Sequence, residues 1–360
     1  MAHTAVRPSA GPVHPSPPGV HRALPRLPDQ PCRATIAGMR TRLTDILQIE
    51  HPVMLAGMGG VSYADLVVAV SEAGGFGCLG ASTMSDAELD AQMADVRSRT
   101  DKPYGVDLLT AAGDQTAKVE RIIAAGATVY VAGLGVPREV IDLCHAKGVI
   151  VMNMCGKVRH AIDAVEAGCD IVVAQGTEAG GHTGRIATNT LVPLIVDAVG
   201  DRVPVVAAGG IFDGRGLASA LTLGADGIWV GTRFIATPEA HTVEGYKERL
   251  VAMAEDDTVV SKAYTGKTCR VVRNDYTDAF EAAGGQAEPF PMQYLKSVRD
   301  GANHLGAEGR PEGFDPNKEF WPAGQGAGGI QELVPAAELV ERFVAEAERA
   351  LARAHGAVTA

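Results

Sequence analysis

Long apolar runs, aromatic residues and positive charge are all scarce in this 360-residue sequence. No stretch of about 18 consecutive apolar residues occurs, so we expect neither a membrane-spanning helix nor a membrane partner. Aromatic residues make up 5% of the chain, and the formal net charge at pH 7 is −11. An acidic chain with few stacking side chains binds phosphate backbones and bases poorly, so we also expect no nucleic-acid partner.

Cysteine is sparse as well, and no two cysteines stand at C-x-x-C spacing, which gives no support to a zinc site or a dithiol motif. We therefore expect no metal site. Most of the cysteines flank apolar runs, which is typical of buried free thiols in a reducing cytoplasm, the location that we expect for this protein. They are Cys32, Cys78, Cys144, Cys155, Cys169 and Cys269.

Residues 1–38 differ from the rest of the chain because they hold eight prolines and no apolar core of a secretory signal. Prolines at this density also break the amphipathic helix that a transit peptide needs. The composition predicts a disordered tail over 1–38. Met39 begins a segment that is typical of a domain start, and the presence of the tail in the cellular protein is left open.

Eight short apolar runs recur after the tail, with helix-like stretches between them. The runs are continuous rather than alternating, which is typical of strands buried on both faces. Glycines such as Gly126 and Gly168 follow several of the amphipathic stretches, where they are expected to end helices. The predicted strands are 53–56, 77–80, 104–109, 129–132, 149–154, 171–174, 205–208 and 228–231.

This alternation predicts an α/β fold, a (β/α)₈ TIM barrel over residues 39–234. A doubly wound open sheet is the alternative, but it needs a G-x-G-x-x-G turn after the first strand, where this chain has AGMGGVS. The literal match, at 324–329, follows no predicted strand and is interpreted as a loop. Residues 235–330 form an insertion after the eighth strand and are predicted to be a lid. Residues 331–360 are predicted to form a helix that packs on the barrel.

Glycine clusters follow strands one, seven and eight, at the end of the barrel where active sites lie. The amides after strands seven and eight, together with the N-terminus of the next helix, are placed to hold a phosphate dianion. We favour this interpretation over glycines that only make tight turns. Around Met58, bare backbone can lie against a flat ring, with the Met58 N–H offered to it and its side chain as an apolar wall. A phosphate and a flat ring together describe FMN.

Strand six is followed by the stretch AQGTEAGGHTG, which places one histidine among four glycines. His182 in this stretch is either a polar loop residue bonded to a neighbouring carbonyl or a group that faces a ligand. Its position at a strand end, opposite the glycine clusters, favours the second interpretation.

Four stretches together resemble the nitronate monooxygenase family, formerly called 2-nitropropane dioxygenases. The flavin-dependent enoyl-acyl carrier protein reductases and related NADH:quinone reductases share these motifs. The resemblance extends from about Met39 to the C-terminal helix. The four stretches are HPVMLAGMGGVSYADLVVAVSEAGGFGCLG, KPYGVDLL, VVAQGTEAGGHTG and PVVAAGGIFDGRGLASALTLGADGIWVGTRF.

The resemblance implies an FMN-binding barrel with His182 as the catalytic residue. Asp107 stands where many members have asparagine, and a negative charge there is expected to lower the reduction potential of the flavin. The residues expected to bind FMN are Gly57, Met58, Gly59, Asp107, Gln175, Gly180, Gly181, Gly209, Gly210, Trp229, Val230, Gly231 and Thr232.

The implied reaction is the oxidation of a nitronate or nitroalkane with O₂ to a carbonyl compound and nitrite. His182, with an ordinary pKa near 6.5, suits removal of the acidic C–H proton beside a nitro group. The nitronate then gives one electron to FMN, and oxygen completes the oxidation. If the substrate arrives as the nitronate, His182 needs only to orient it.

Two alternatives stay open at this point. The first is an FMN enzyme that takes electrons from NAD(P)H and passes them to a quinone or an enoyl thioester. The second is a flavin-binding or ligand-sensing barrel without catalysis, against which the histidine argues. The sequence leaves the oligomeric state open, a homodimer included.

Overall fold

The structure is a computed structural model that describes residues 39–109, 115–133, 135 and 137–359. The predicted tail at 1–38 lies outside these residues.

Eight parallel strands form a closed barrel, which confirms the predicted (β/α)₈ fold. In chain order the strands of the barrel and of a second, smaller sheet are β1 (Val53–Leu55), β2 (Gly77–Gly80), β3 (Tyr104–Leu108), β4 (Val129–Ala132), β5 (Ile150–Cys155), β6 (Ile171–Gln175), β7 (Gly181–His182), β8 (Val205–Ala208), β9 (Gly227–Val230), β10 (Thr258–Ser261) and β11 (Cys269–Val272). The barrel order is β1-β9-β8-β6-β5-β4-β3-β2, and a parallel bridge between Met54 and Phe76 joins β1 to β2.

Helices surround the barrel, and the amphipathic stretches of the sequence coincide with α2, α4, α5 and α8. None of the helices described is both long enough and apolar enough to cross a bilayer. The helices are α1 (Arg42–Leu47), α2 (Ala64–Glu72), α3 (Asp86–Arg99), α4 (Thr116–Ala124), α5 (Arg138–His145), α6 (Val158–Ala167), α7 (Thr188–Val199), α8 (Gly214–Thr222), α9 (Thr232–Ile235), α10 (Tyr246–Val251), α11 (Asp275–Ala282), α12 (Met292–Arg299) and α13 (Ala336–Thr359).

The apolar side chains form two main layers because each barrel strand is buried on both faces. Strand residues that point outward pack against the helices, whereas those that point inward fill the barrel. Leu43 and Leu47 of α1 pack with inward residues such as Met54 and Trp229. A short helix therefore covers one end of the barrel, and the carboxyl ends of the strands lie at the other.

Residues 235–330 contain α10, α11, α12 and most of a second sheet, whose order is β10-β11-β7. The strand β7 comes from the loop after β6 and pairs antiparallel with β11. Sequence periodicity missed β7 because two residues have no period. The helix α13 packs against α8 and α2, with Phe343 and Val344 fully buried.

Candidate active site

A cavity of about 380 Å³ opens at the carboxyl ends of the barrel strands. Sites for small ligands commonly have volumes of roughly 300–1,000 Å³. All of the site residues predicted from the sequence line this one cavity, although the role of each stays a prediction. They are Gly57, Met58, Gly59, Asp107, Gln175, Gly180, Gly181, His182, Gly209, Gly210, Trp229, Val230, Gly231 and Thr232.

The loop after β1 lies tightly against its neighbours, which explains its glycines. A Cβ atom on Gly57 would lie 2.2 Å from the Cβ atom of Asp107. The Met58 amide donates to Ser62 Oγ at 3.1 Å. The amide that we expected to face a flavin ring therefore has a protein partner, the hydroxyl of the following turn. The Met58 side chain still lines the cavity.

The loop after β8 presents backbone amides to the cavity. Gly209 and Gly210 have φ angles of +110° and +72°, which are accessible at low cost only to glycine. Among the described residues, the amides of Gly209, Gly210 and Thr232 donate to no acceptor. The Thr232 hydroxyl is engaged differently, since it accepts from the Gly324 amide at 2.9 Å. These free amides lie on the loop after β8 and, at Thr232, after β9, and together they suit an anion.

The N-terminus of α8 does not take part as expected. The Gly214 amide donates to the Glu346 carboxylate at 2.9 Å, and the Arg215 amide donates to the Asp213 carboxylate at 3.0 Å. Two carboxylates already cap the first turn of this helix. A phosphate in the cavity would therefore depend on the loop amides and not on the end of this helix.

Asp107 lies at the end of β3 and is neutral at pH 7. Burial raises the pKa of its carboxyl to about 8, because desolvation disfavours the charged form. A pKa of about 8 favours the protonated carboxyl at pH 7, which argues against the expected negative charge beside the flavin. A protonated carboxyl offers one O–H donor and one carbonyl acceptor, which is similar to the amide of the asparagine common at this position.

His182 is held in β7 on both its backbone and its ring. His182 pairs with Cys269 of β11, and the side-chain amide of Gln175 donates to the His182 carbonyl at 3.1 Å. The ring Nε2 lies 3.1 Å from Thr265 Oγ1. Burial, and secondarily the charge of Lys267, lowers the pKa of His182 to about 4. The imidazole is therefore neutral at pH 7, and the ordinary pKa expected from the sequence does not apply.

The insertion supplies residues around His182 that sequence reasoning did not assign to the site. Thr265 contacts the ring of His182, and Arg270, which is 7% exposed, donates to the Thr177 carbonyl and the Thr258 hydroxyl, both at 3.0 Å. The segment Thr265-Gly266-Lys267 stood out as polar, but nothing local showed that it meets β7. Four aromatic residues of the insertion also line the cavity: Tyr246, Phe290, Tyr294 and Phe320.

Two features of the loop after β6 are structural. The carboxylate of Glu178 accepts from the Thr188 amide at 2.9 Å and from the Thr188 hydroxyl at 2.8 Å, so it caps α7. The Gln325 amide donates to the Glu178 carbonyl at 2.9 Å. The segment around Gly324, interpreted as a loop from the sequence, thereby lies against the candidate site.

Comparisons with known proteins agree with this architecture. The family model described as nitronate monooxygenase matches residues 40–117 and 108–346. The (3aS,4S,5R,7aS)-5-hydroxy-7a-methyl-1-oxo-octahydro-1H-indene-4-carboxyl-CoA dehydrogenase of Mycobacterium tuberculosis is 41% identical over 253 residues, which are 70% of this chain and 71% of that protein.

Two solved structures share the fold over nearly their whole length. FabK from Thermotoga maritima has a TM-score of 0.79 and 34% identity, covering 88% of this chain and 99% of its own. The nitroalkane oxidase from Streptomyces ansochromogenes has a TM-score of 0.73 and 28% identity, with the same coverage of 88% and 99%. The family model covers most of the barrel and the insertion, as the resemblance in the sequence implied. This chain is therefore an oxidoreductase that belongs to the nitronate monooxygenase family.

Proposed function

We propose that this protein is an FMN-dependent nitronate monooxygenase, which oxidises alkyl nitronates with O₂ to carbonyl compounds and nitrite. The observation that carries the proposal is a neutral histidine, His182, at the wall of a glycine-lined cavity whose other end presents free amides. Membership of the family and the nitroalkane oxidase neighbour support the same reaction.

The cavity suits FMN on two grounds. The unpartnered amides of Gly209, Gly210 and Thr232 suit the phosphate, and the bare backbone from Gly57 to Gly59 suits a flat ring. Asp107, when protonated, can donate to a ring acceptor without placing a charge beside it. Bound FMN would supply the redox chemistry of the reaction, and the residues of the chain would bind and orient the substrate.

The lowered pKa of His182 favours a nitronate over a neutral nitroalkane. A base with a pKa of about 4 has little driving force to remove a proton from carbon at pH 7. A neutral imidazole can instead donate one N–H to an oxygen of an anionic nitronate. Thr265, at 3.1 Å from the ring, helps to fix which nitrogen faces the substrate. We therefore propose that His182 orients a nitronate that arrives already deprotonated.

The second candidate is an FMN enzyme that takes electrons from NAD(P)H and reduces a quinone or an enoyl thioester. The 41% identity to a CoA dehydrogenase and the likeness to FabK support this alternative. The apolar wall that Tyr246, Phe290, Tyr294 and Phe320 contribute suits an acyl chain or a quinone ring as well as an alkyl nitronate.

Anaerobic reduction of the purified flavoprotein separates the two functions. Propionate 3-nitronate, NADH and NADPH are added in turn, and the loss of flavin absorbance is followed, with oxygen uptake and nitrite measured in air. We expect rapid bleaching by the nitronate, a slow response to both nicotinamide nucleotides, and nitrite formation. Rapid bleaching by NADH or NADPH, without oxygen uptake on the nitronate, would contradict the proposal.

A His182→Asn variant tests the role of the histidine, with His355→Asn on the exposed face of α13 as the matched control. We expect the His182 variant to lose nitronate oxidation by about 100-fold or more, as is common when a substrate-orienting group is removed. The control should retain full activity. An equal rate of nitronate oxidation in the two variants would contradict the proposal that His182 orients the substrate.

A further inference from the structure

The two ring nitrogens of His182 have different surroundings. Nε2 lies 3.1 Å from Thr265 Oγ1. Nδ1 has no hydrogen-bond partner in the part of the chain that the structure describes. Because His182 lines the cavity, Nδ1 is the nitrogen that a bound ligand can reach. A neutral imidazole carries a single N–H, so its tautomer decides whether the ligand meets a donor or an acceptor.

The hydroxyl proton of Thr265 has two acceptors within reach. His182 Nε2 lies at 3.1 Å and the Lys267 carbonyl at 3.2 Å, and one proton serves only one of them. The Lys267 amide donates to the same hydroxyl oxygen at 3.3 Å. A hydroxyl that accepts a hydrogen bond is polarised and becomes a stronger donor. An unprotonated imidazole nitrogen is more basic than a peptide carbonyl, so Nε2 is the favoured acceptor.

Thr265 is held in place by the packing of its own segment, and its side chain is 3% exposed. The next residue, Gly266, has a φ angle of +76°, and a Cβ atom on it would lie 2.3 Å from the Glu288 carbonyl oxygen. The buried side chain of Gln293 donates to the Ala263 carbonyl at 2.6 Å and accepts from the Glu288 amide at 3.1 Å. The hydroxyl therefore has the fixed position that a group needs in order to orient another side chain.

The charge around the ring favours an anionic ligand. Lys267 Nζ lies 4.6 Å from the centroid of the Phe290 ring, and Phe290 lines the cavity. Within the described ranges, no carboxylate pairs with this ammonium group. Its charge is the second cause of the lowered pKa of His182, so it acts at the ring. A neutral donor beside an unpaired cation suits a ligand oxygen that carries negative charge.

We propose that Thr265 is a positioning residue that donates its hydroxyl proton to Nε2 and thereby holds His182 as the Nδ1–H tautomer, with this N–H available to a ligand in the cavity. Such a site meets its ligand with a donor and offers it no base. It therefore selects a nitronate, which brings negative oxygens, over a neutral nitroalkane, whose C–H proton needs an acceptor. The selectivity rests on the proposed function, but the tautomer does not.

Ring ¹⁵N chemical shifts of His182 in the FMN-saturated protein identify the protonated nitrogen without turnover. At pH 7 we expect the proton on Nδ1 in the parent and in Thr265→Ser, which keeps the hydroxyl. Thr265→Val has nearly the same shape without the hydroxyl, and we expect it to populate the Nε2–H tautomer. Thr190→Val, on the exposed face of α7, is the matched control and should resemble the parent. A proton on Nε2 in the parent, or an unchanged tautomer in Thr265→Val, would overturn the proposal.

Steady-state rates with ethyl nitronate and nitroethane test the selectivity. We expect Thr265→Val to lose about tenfold in kcat/KM for the nitronate, roughly the factor that one hydrogen bond contributes, and Thr265→Ser to restore most of it. The preference for the nitronate over nitroethane should fall by a similar factor in the valine variant only. Equal losses in the serine and valine variants would contradict a role for the hydroxyl. A parent with the Nδ1–H tautomer that oxidises neither compound refutes the proposed function and not the role of Thr265.

Discussion

Asp107 and His182 face one cavity with pKa values displaced in opposite directions. Burial disfavours the charged form of each group, so it raises the pKa of the acid to about 8 and lowers that of the base to about 4. Both groups are therefore neutral at pH 7, and the acid holds the proton that the base lacks. Such divergent values are typical of functional sites.

The raised pKa of Asp107 predicts a stability that falls as pH rises. Between about pH 4 and pH 8 the folded protein holds a proton that the unfolded chain releases, so each pH unit costs up to about 1.4 kcal/mol. Asp107→Asn should abolish this slope. The measurement is urea unfolding at pH 5, 6.5 and 8, and the difference between variant and parent cancels the opposite contribution of His182 below pH 6.5. Parallel stability profiles would contradict the raised pKa.

The titration of His182 can be observed directly. In an NMR titration of the flavin-free protein, we expect the His182 ring to titrate near pH 4, well below the ordinary 6.5. Lys267→Met should raise this pKa, but only in part, because burial is the larger cause. His355, exposed on α13, serves as the internal reference. A His182 midpoint at 6 or above would show that the ring is accessible to water.

At the scale of the elements, the insertion holds β7, the strand that carries His182, in place. The strand β7 has two residues and depends on β11, whose Arg270 crosses to the Thr177 carbonyl at 3.0 Å. Hydrogen bonds from a charged donor in a buried setting are among the stronger ones. The position of His182 therefore depends on a segment far along the chain, and not only on β6.

Removing this anchor should loosen the site. Arg270→Met is expected to lower the free energy of unfolding by about 1–3 kcal/mol and to reduce nitronate turnover, because two partly buried acceptors lose a charged donor. Arg273→Met is the control, since Arg273 is exposed and pairs with Asp278 at the surface. Urea midpoints and initial rates are compared. Equal urea midpoints and equal initial rates in the two variants would contradict the role of Arg270 in holding β7.

The elements differ in how far the sequence predicts them. Most of the barrel strands are predictable because, like residues 171–174 of β6, they are short apolar runs that must be buried on both faces. The β7–β11 pairing was missed because it depends on contacts between distant segments. The same limit hid Thr265 and Lys267, whose local sequence is only polar. The sequence also did not reveal the protonation states of Asp107 and His182 at pH 7, because burial, and not composition, sets their pKa values.

At the scale of the whole molecule, barrel and terminal helix share one core. The buried face of α13 packs against α8 and α2. Gly214 allows this close approach, because a Cβ atom at this position would lie 2.4 Å from the Phe343 carbonyl oxygen. Glu346 of α13 also accepts from the Gly214 amide at 2.9 Å. The same helix thus packs on the barrel and occupies the end of α8 beside the glycine loop of the site.

The packing of α13 predicts a large and specific loss on truncation of Phe343. This side chain is fully buried and stacks at an angle on Phe234, with 6.4 Å between ring centroids. Phe343→Ala should lower the free energy of unfolding by about 3–5 kcal/mol, since it removes a large apolar contact and leaves a cavity. Val358→Ala, at a position that is 86% exposed on the same helix, should leave the free energy of unfolding unchanged.

Both variants are compared by urea unfolding followed through far-UV circular dichroism and flavin fluorescence. Because the helix and the barrel share a core, we expect the two probes to shift together in the Phe343 variant. A loss of helix signal at a lower urea concentration than the release of flavin would show that α13 unfolds independently of the barrel.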